Sequence, residues 1–298
     1  MGQPLAWHHF RFEIPTDWEL TNFATDPEQG GLTFANRHGF QGVVRWQRHP
    51  RPPDIRREMV LYLQTRVLKR KARRIRDSSG FEETTVNGFT LLRHASAPLP
   101  IQAMRYLPDT RVTVHWSLPD SSPEGVRRRA TPLLESFAPN TGDPRHYALL
   151  GIRCEVPARF AVTQIDALPA NVRLMFVDGS HTVAVRRWGL LAQILQDRLP
   201  ADFYRRELEG DGAVCDTESR VTSGPAQTTT ITFHERPDTS GHRRLRRPVT
   251  RHGTGTVWHD AREHRVYAVE QRWTGDTQPL DPARICPALR THGGPDGP

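Results

Sequence analysis

An internal repeat at a constant offset is the feature that most constrains this chain. Phe12-Glu13-Ile14-Pro15-Thr16-Asp17-Trp18-Glu19-Leu20 aligns with Cys154-Glu155-Val156-Pro157-Ala158-Arg159-Phe160-Ala161-Val162. Without a gap, Leu32-Thr33-Phe34 falls on Leu174-Met175-Phe176, and Val43 and Trp46 fall on Val185 and Trp188. Apolar positions meet apolar positions, and a proline meets a proline. Two copies of one unit fit 298 residues, because a domain usually takes roughly 100–200. The repeat predicts two similar domains, residues 1–138 and 145–290, joined by the breaker-rich stretch Ala138-Pro139-Asn140-Thr141-Gly142-Asp143-Pro144. The offset grows late in the second copy, which predicts a basic loop insertion near residues 235–256, a long loop or an exposed hairpin. Residues 291–298 are expected to form a disordered tail.

Within each half the apolar period changes along the chain. Asp54 can cap a helix in which Ile55, Met59, Leu63 and Val67 form one stripe. In the second half Leu190, Leu191, Ile194, Leu195 and Leu199 do the same until Pro200, and a short helix is expected over Asp202–Leu208. Strands are expected at Phe89–His94, Arg111–Trp116, Thr228–His234 and Arg265–Trp273. In the second of these, Val112, Val114 and Trp116 alternate with Arg111, Thr113 and His115, the period of a half-buried strand. Terminal helices are expected at Glu124–Phe137 and Pro282–Arg290.

Phe12-x-Ile14-Pro15-x-x-Trp18-x-Leu20 and Val156-Pro157-x-x-Phe160-x-Val162, with the strand–helix–strand order after them, resemble the PsbP-like and DcrB-like α/β sandwich superfamily. That resemblance implies a curved antiparallel sheet flanked by helices, and a non-enzymatic accessory or binding role. The expected fold class is therefore α+β, two similar domains of this kind. The chain departs from familiar members in being duplicated and arginine-rich.

Composition removes several chemistries. Of 41 basic residues only Lys69 and Lys71 are lysines, and neither follows a glycine. A Walker P-loop and a kinase-type nucleotide site both lack their lysine. A Schiff-base enzyme would have to use one of two lysines in a solvated basic run. Cys154, Cys215 and Cys286 are too far apart in sequence for a C-x-x-C pair, so neither a disulfide framework nor structural zinc is expected. The first residues carry no signal-peptide pattern and no apolar stretch is long enough to span a bilayer, which predicts a cytoplasmic chain with no membrane insertion.

The net charge of +8 is concentrated in two segments. Arg66, Lys69, Arg70, Lys71, Arg73, Arg74 and Arg76 form one, and Arg243, Arg244, Arg246 and Arg247, with Arg251 beyond, form the other. Either could grip phosphates by displacing counterions, or be a solvated face. His259-Asp260-Ala261-Arg262-Glu263-His264 spaces its histidines five apart, which does not suit a zinc helix and reads as a hairpin tip. His8-His9 are expected at strand edges. Glu82 and Glu83 would point to opposite faces of a strand, and Asp178-Gly179-Ser180-His181 reads as a turn. The tryptophans read as core. No cofactor, metal or catalytic residue is expected. The function expected is a non-catalytic binding or scaffold protein for an unidentified protein partner. The alternative is an accessory protein that binds RNA, DNA or another polyanion through the two basic segments.

Overall fold

Each proline of the repeated motif closes a turn. The Trp18 N–H donates to the Pro15 carbonyl at 3.1 Å, and the Phe160 N–H donates to the Pro157 carbonyl at 3.0 Å. The turn redirects the chain from a hairpin into a large sheet and drops the aromatic into the core, where Trp18 and Phe160 are buried. The computed structural model describes residues 2–63, 80–95, 99–119, 122–168, 170–223, 226–235 and 250–287. The chain divides into two units, Met1–Thr141 and Gly142–Pro298.

The first unit opens with the hairpin β1 (Gly2–Trp7) and β2 (Phe10–Pro15). A sheet follows, built from β3 (Glu19–Phe23), β4 (Gln29–Asn36), β5 (Gly39–Arg48), β6 (Phe81–Val86), β7 (Phe89–His94), β8 (Ile101–Leu107) and β9 (Val112–Leu118). Helix α1 (Ile55–Tyr62) lies between β5 and β6 in sequence. After β9 come α2 (Pro123–Gly125), a π-helical turn (Val126–Ala130), α3 (Thr131–Glu135) and the short β10 (Ala138–Pro139), which pairs with β2. The sheet is antiparallel in the order β3-β4-β5-β9-β8-β7-β6.

The second unit repeats this plan. Its hairpin is β11 (Arg145–Leu149) and β12 (Ile152–Val156). Its sheet holds β13 (Ala161–Leu168), β14 (Asn171–Asp178), β15 (His181–Trp188), β16 (Ala213–Ser223), β17 (Ala226–Glu235), β18 (Arg251–Asp260) and β19 (Arg265–Thr274). The order β13-β14-β15-β19-β18-β17-β16 is the same topology strand for strand. Helices α4 (Leu191–Leu195) and α5 (Pro200–Gly210) fill the place of α1, and α6 (Pro282–Ile285) follows the sheet. Even a bulge recurs. Register shifts between Leu20 and Asn22 and between Val162 and Gln164, and at each the intervening threonine hydroxyl (Thr21, Thr163) donates to a β4 or β14 carbonyl.

Strand dominates both units, which corrects the expected α+β class of helix-flanked sheets. The apolar stripe Leu190–Leu199 does not become one long helix. Leu190, Gln196 and Asp197 take left-handed backbone angles that confine α4 to five residues. Pro200 starts α5 rather than ending a helix, because its missing N–H costs nothing in a first turn. In Glu124–Phe137, Pro132 has no N–H to continue the ladder, and the Thr131 N–H before it reaches back to Val126 in a wider π turn. The stretch Arg251–Thr256, expected in a long loop or exposed hairpin, is the first part of β18, which pairs antiparallel with β17. Residues 236–249 and the expected tail 291–298 lie outside the described residues.

A second correction concerns Trp46 and Trp188. Gly42 pairs with Phe34 but Phe40 pairs with Ala35, so β5 carries one extra residue, Gln41, where β15 has none. A one-residue bulge moves the following side chains to the opposite face. By register, Leu32 opposite Val44 corresponds to Leu174 opposite Val185, and Arg45 to Arg186. Trp46 packs on Phe10 of the hairpin, at 5.8 Å between ring centroids. Trp188 packs on Phe203 of α5, at 5.4 Å. The two tryptophans face opposite ways.

Candidate functional site

Strand β9 is buried at every position from Val112 to Leu118, including its polar residues. Val112, Val114 and Trp116 face the hairpin side, where Trp116 meets Phe12 edge-on at 5.3 Å. Thr113, His115 and Ser117 face the side covered by α1. Asp54 caps that helix through its side chain, which accepts from the Arg57 N–H, and Met59 and Leu63 seat it on Leu92 and Met104.

A hydrogen-bonded chain fixes the polar row. Gln102 Nε2 donates to the Pro100 carbonyl at 3.1 Å and to Ser117 Oγ at 3.0 Å. Its Oε1 therefore faces His115 Nε2 at 2.7 Å, and that ring nitrogen carries the proton. Burial, and then the charge of Arg45, push the His115 pKa down to about 3. The ring is neutral near pH 7, with Nδ1 an acceptor that has no hydrogen-bond partner among the described residues.

Arg45 stands opposite His115 on β5. It donates to Tyr62 Oη at 2.7 Å, and its guanidinium carbon lies 5.2 Å from the Tyr62 ring centroid. Tyr62 in turn meets the His115 ring edge-on at 4.8 Å. Among the described residues no carboxylate reaches ion-pair distance of Arg45. These groups line a cavity of about 380 Å³ with Gln29, Gln47 and Glu58. That size is within the range of small-molecule pockets. Thr113 Oγ1 is buried in its lining without a hydrogen-bond partner among the described residues.

The second unit treats the same register positions differently. Opposite Arg186 stands Ala268, where the first unit has His115. Gln47 opposite Thr113 becomes Trp188 opposite Val266, and Ser117 becomes Glu270. Trp188, Phe203, Tyr204 and Leu208 join Val266 and Ala268 in one apolar cluster. Arg186 is matched by Asp211 at 2.5 Å and Glu270 at 3.3 Å, and Glu270 also pairs with Arg272 at 2.6 Å. Burial disfavours the Arg186 charge, but Glu270 and Asp211 outweigh it and its pKa is raised. Among the described residues this layer of the second unit is packed with apolar side chains and its arginine is paired.

The residues named from sequence are not brought into this site. Arg66, Lys69, Arg70, Lys71, Arg73, Arg74 and Arg76 lie outside the described residues, as do Arg243, Arg244, Arg246 and Arg247. Arg251 is exposed and pairs with Glu235 at 3.6 Å. Glu82 pairs with Arg93, and Glu83 with Arg56 of α1 at 3.5 Å. His259 ends in β18, and Asp260 caps the turn before β19 by accepting from the N–H groups of Arg262 and Glu263. His8 and His9, expected at strand edges, are buried at the β1–β2 turn, where the His9 ring sits 2.7 Å from the Pro27 carbonyl. Among the described residues no three His, Cys, Asp or Glu side chains gather as metal ligands, and no helix is long and apolar enough to cross a membrane.

The sequence reading missed Arg45, Tyr62, Gln102, Thr113 and His115. The signal was present in two separate parts. A helix stripe over Ile55–Leu63 must cover one sheet face, and Thr113, His115 and Ser117 are the face that Val112, Val114 and Trp116 leave for it.

No family model and no curated protein matches the chain. Among solved structures, the intact Ap-TbpB (N and C lobes) is 8% identical, covers 90% of this chain and 67% of its own, and has a TM-score of 0.14. A double mutant of transferrin binding protein B from Haemophilus parasuis Hp5 is 7% identical, with 91% and 67% covered and the same TM-score. At that score the likeness carries no argument about fold or function.

Proposed function

We propose that this chain is a non-catalytic binding or scaffold protein, in which the second unit is a filled structural copy and the first keeps a ligand cavity. One observation carries the reading. At equivalent positions of one topology, the second unit has Trp188, Val266 and Ala268, whereas the first retains Gln47, Thr113 and His115 around an arginine that meets no carboxylate among the described residues. Burying polar groups without partners costs stability, and a fold that fills this space elsewhere has a cheaper solution available. Sites that bind are where such a cost is retained.

Proton transfer is poorly served here. His115 is neutral with its Nε2–H held by an amide, and Ser117 bonds to Gln102 rather than to the imidazole. A cytoplasmic location belongs to the same proposal, supported by three free thiols. The polyanion alternative rests on the two basic segments, of which only Arg251 lies among the described residues, engaged with Glu235.

The test is ligand-observed NMR of the full chain against a chemically mixed fragment library, with each fragment checked for conversion afterwards. The expected result is fragments that bind, perturb the His115 ring signals and are recovered unchanged. Conversion of a bound fragment that disappears in His115→Phe would overturn the non-catalytic reading.

A further inference from the structure

The geometry points to a specific ligand chemistry for the first unit's cavity: we propose that it takes a small monocarboxylate bearing a hydroxyl group, with Arg45 holding the carboxylate and His115 Nδ1 accepting from the hydroxyl. This inference rests on the reading of the first unit as the ligand-holding copy.

The cation argues for the carboxylate. Arg45 is half-buried, and among the described residues its only polar partner is the neutral Tyr62 hydroxyl at 2.7 Å. Its counterpart Arg186 shows what the position demands when closed, two carboxylates within 3.3 Å. A planar guanidinium pairs best with a planar carboxylate, through two parallel hydrogen bonds. A singly charged ligand completes the balance. Glu58 borders the same cavity, so a dianion such as phosphate would add a second negative charge to a lining that already carries a carboxylate.

The imidazole argues for the hydroxyl. Its Nε2–H is committed to Gln102, and Nδ1 is left as a neutral acceptor. Burial and Arg45 keep it unprotonated across the neutral range, so it presents a lone pair and asks for a donor. Thr113 Oγ1, also without a partner, adds a second neutral polar group to the same wall. An anionic group placed on Nδ1 would meet a lone pair, which fixes the carboxylate at the Arg45 end.

Mandelate is a suitable probe, because it fits about 380 Å³ and has close isosteres. Mandelamide lacks its charge and phenylacetate lacks its hydroxyl. Binding is read from the His115 ring signals in full-length protein. Mandelate should saturate with a dissociation constant below about 5 mM, and mandelamide should bind at least about tenfold more weakly. Arg45→Met should remove about tenfold in mandelate affinity, with Arg45→Lys intermediate if Met alone disturbs folding. His115→Phe should abolish the preference for mandelate over phenylacetate, read there from the ligand's own signals. Equal affinity of mandelate and mandelamide, or undiminished binding by folded Arg45→Met, would overturn the carboxylate assignment. If mandelate fails while an uncharged or cationic fragment perturbs His115, the ligand class is wrong and the binding reading stands. If no fragment of any class perturbs these signals, both fail.

Discussion

His115 shows most clearly how one residue's surroundings set its behaviour. An exposed imidazole titrates near 6.5, and burial beside Arg45 takes this one down to about 3. The folded-state pKa lies below the unfolded value, so between these two pH values the unfolded chain binds more protons. The stability contributed by the neutral ring is complete above about pH 6.5 and is lost progressively as pH falls towards 3. A thermal-unfolding series from pH 8 to pH 4 should therefore fall more steeply for the parent chain than for His115→Gln, by up to about 1.4 kcal/mol per pH unit. Parallel curves would show that the ring is not held neutral. Cysteine reactivity follows the same logic. Burial raises the Cys154 thiol well above its usual range and Cys286 to about 12, while Cys215 is only partly buried. Alkylation of the native chain at pH 8 should label Cys215 first, and mass spectrometry after brief exposure reads the order.

At the scale of the element, two devices hold strands and helices in register. Asn87 and Gly88 both take positive φ in the two-residue turn between β6 and β7, the backbone that a tight hairpin requires. The Asn87 Nδ2 group also donates to the carbonyls of Leu134, Glu135 and Phe137, closing the end of α3. Asn87→Ala gives up those bonds and adds left-handed strain, and it should cost about 2 kcal/mol in chemical denaturation. The second device is the ion network beneath α5. Glu270→Ala leaves Arg186, with its side chain 4% exposed, short of a partner and should cost about 3 kcal/mol or more. Arg186 and Glu270 replaced together by apolar residues should recover much of that loss. Some strand positions were legible, and β7 runs over Phe89–His94 as expected. Asp54 marked the start of α1 and α5 contains the expected Asp202–Leu208, but the extent of α4 was not legible, because the apolar stripe Leu190–Leu199 says nothing of the left-handed residues that break it. The bulge at Gln41 was hidden for a related reason: one extra residue leaves composition unchanged yet turns Trp46 away from the position of Trp188.

At the scale of the whole molecule, the duplication works as an internal control. The repeat was readable from Pro15 and Pro157, because each proline and the aromatic after it recur at one offset, whereas the strand order was not. What differs between the copies was unreadable until register placed Arg45 against Arg186 and His115 against Ala268. The same plan admits a filled interior in one unit and a polar cavity in the other, so the cavity is not forced by the fold. Replacing first-unit residues with their second-unit counterparts should then stabilise the protein at the expense of binding. Thr113→Val is the cleanest case, since Val266 occupies that register position and the Thr113 hydroxyl is buried without a partner. Removing that hydroxyl at nearly constant shape should stabilise the first unit by about 1 kcal/mol, raising its calorimetric midpoint by about 2–4 °C. Mandelate affinity should fall in the same variant. A midpoint that drops would mean that Thr113 has a structural partner, and the polar row would then be part of the first unit's core rather than a cost retained for a ligand.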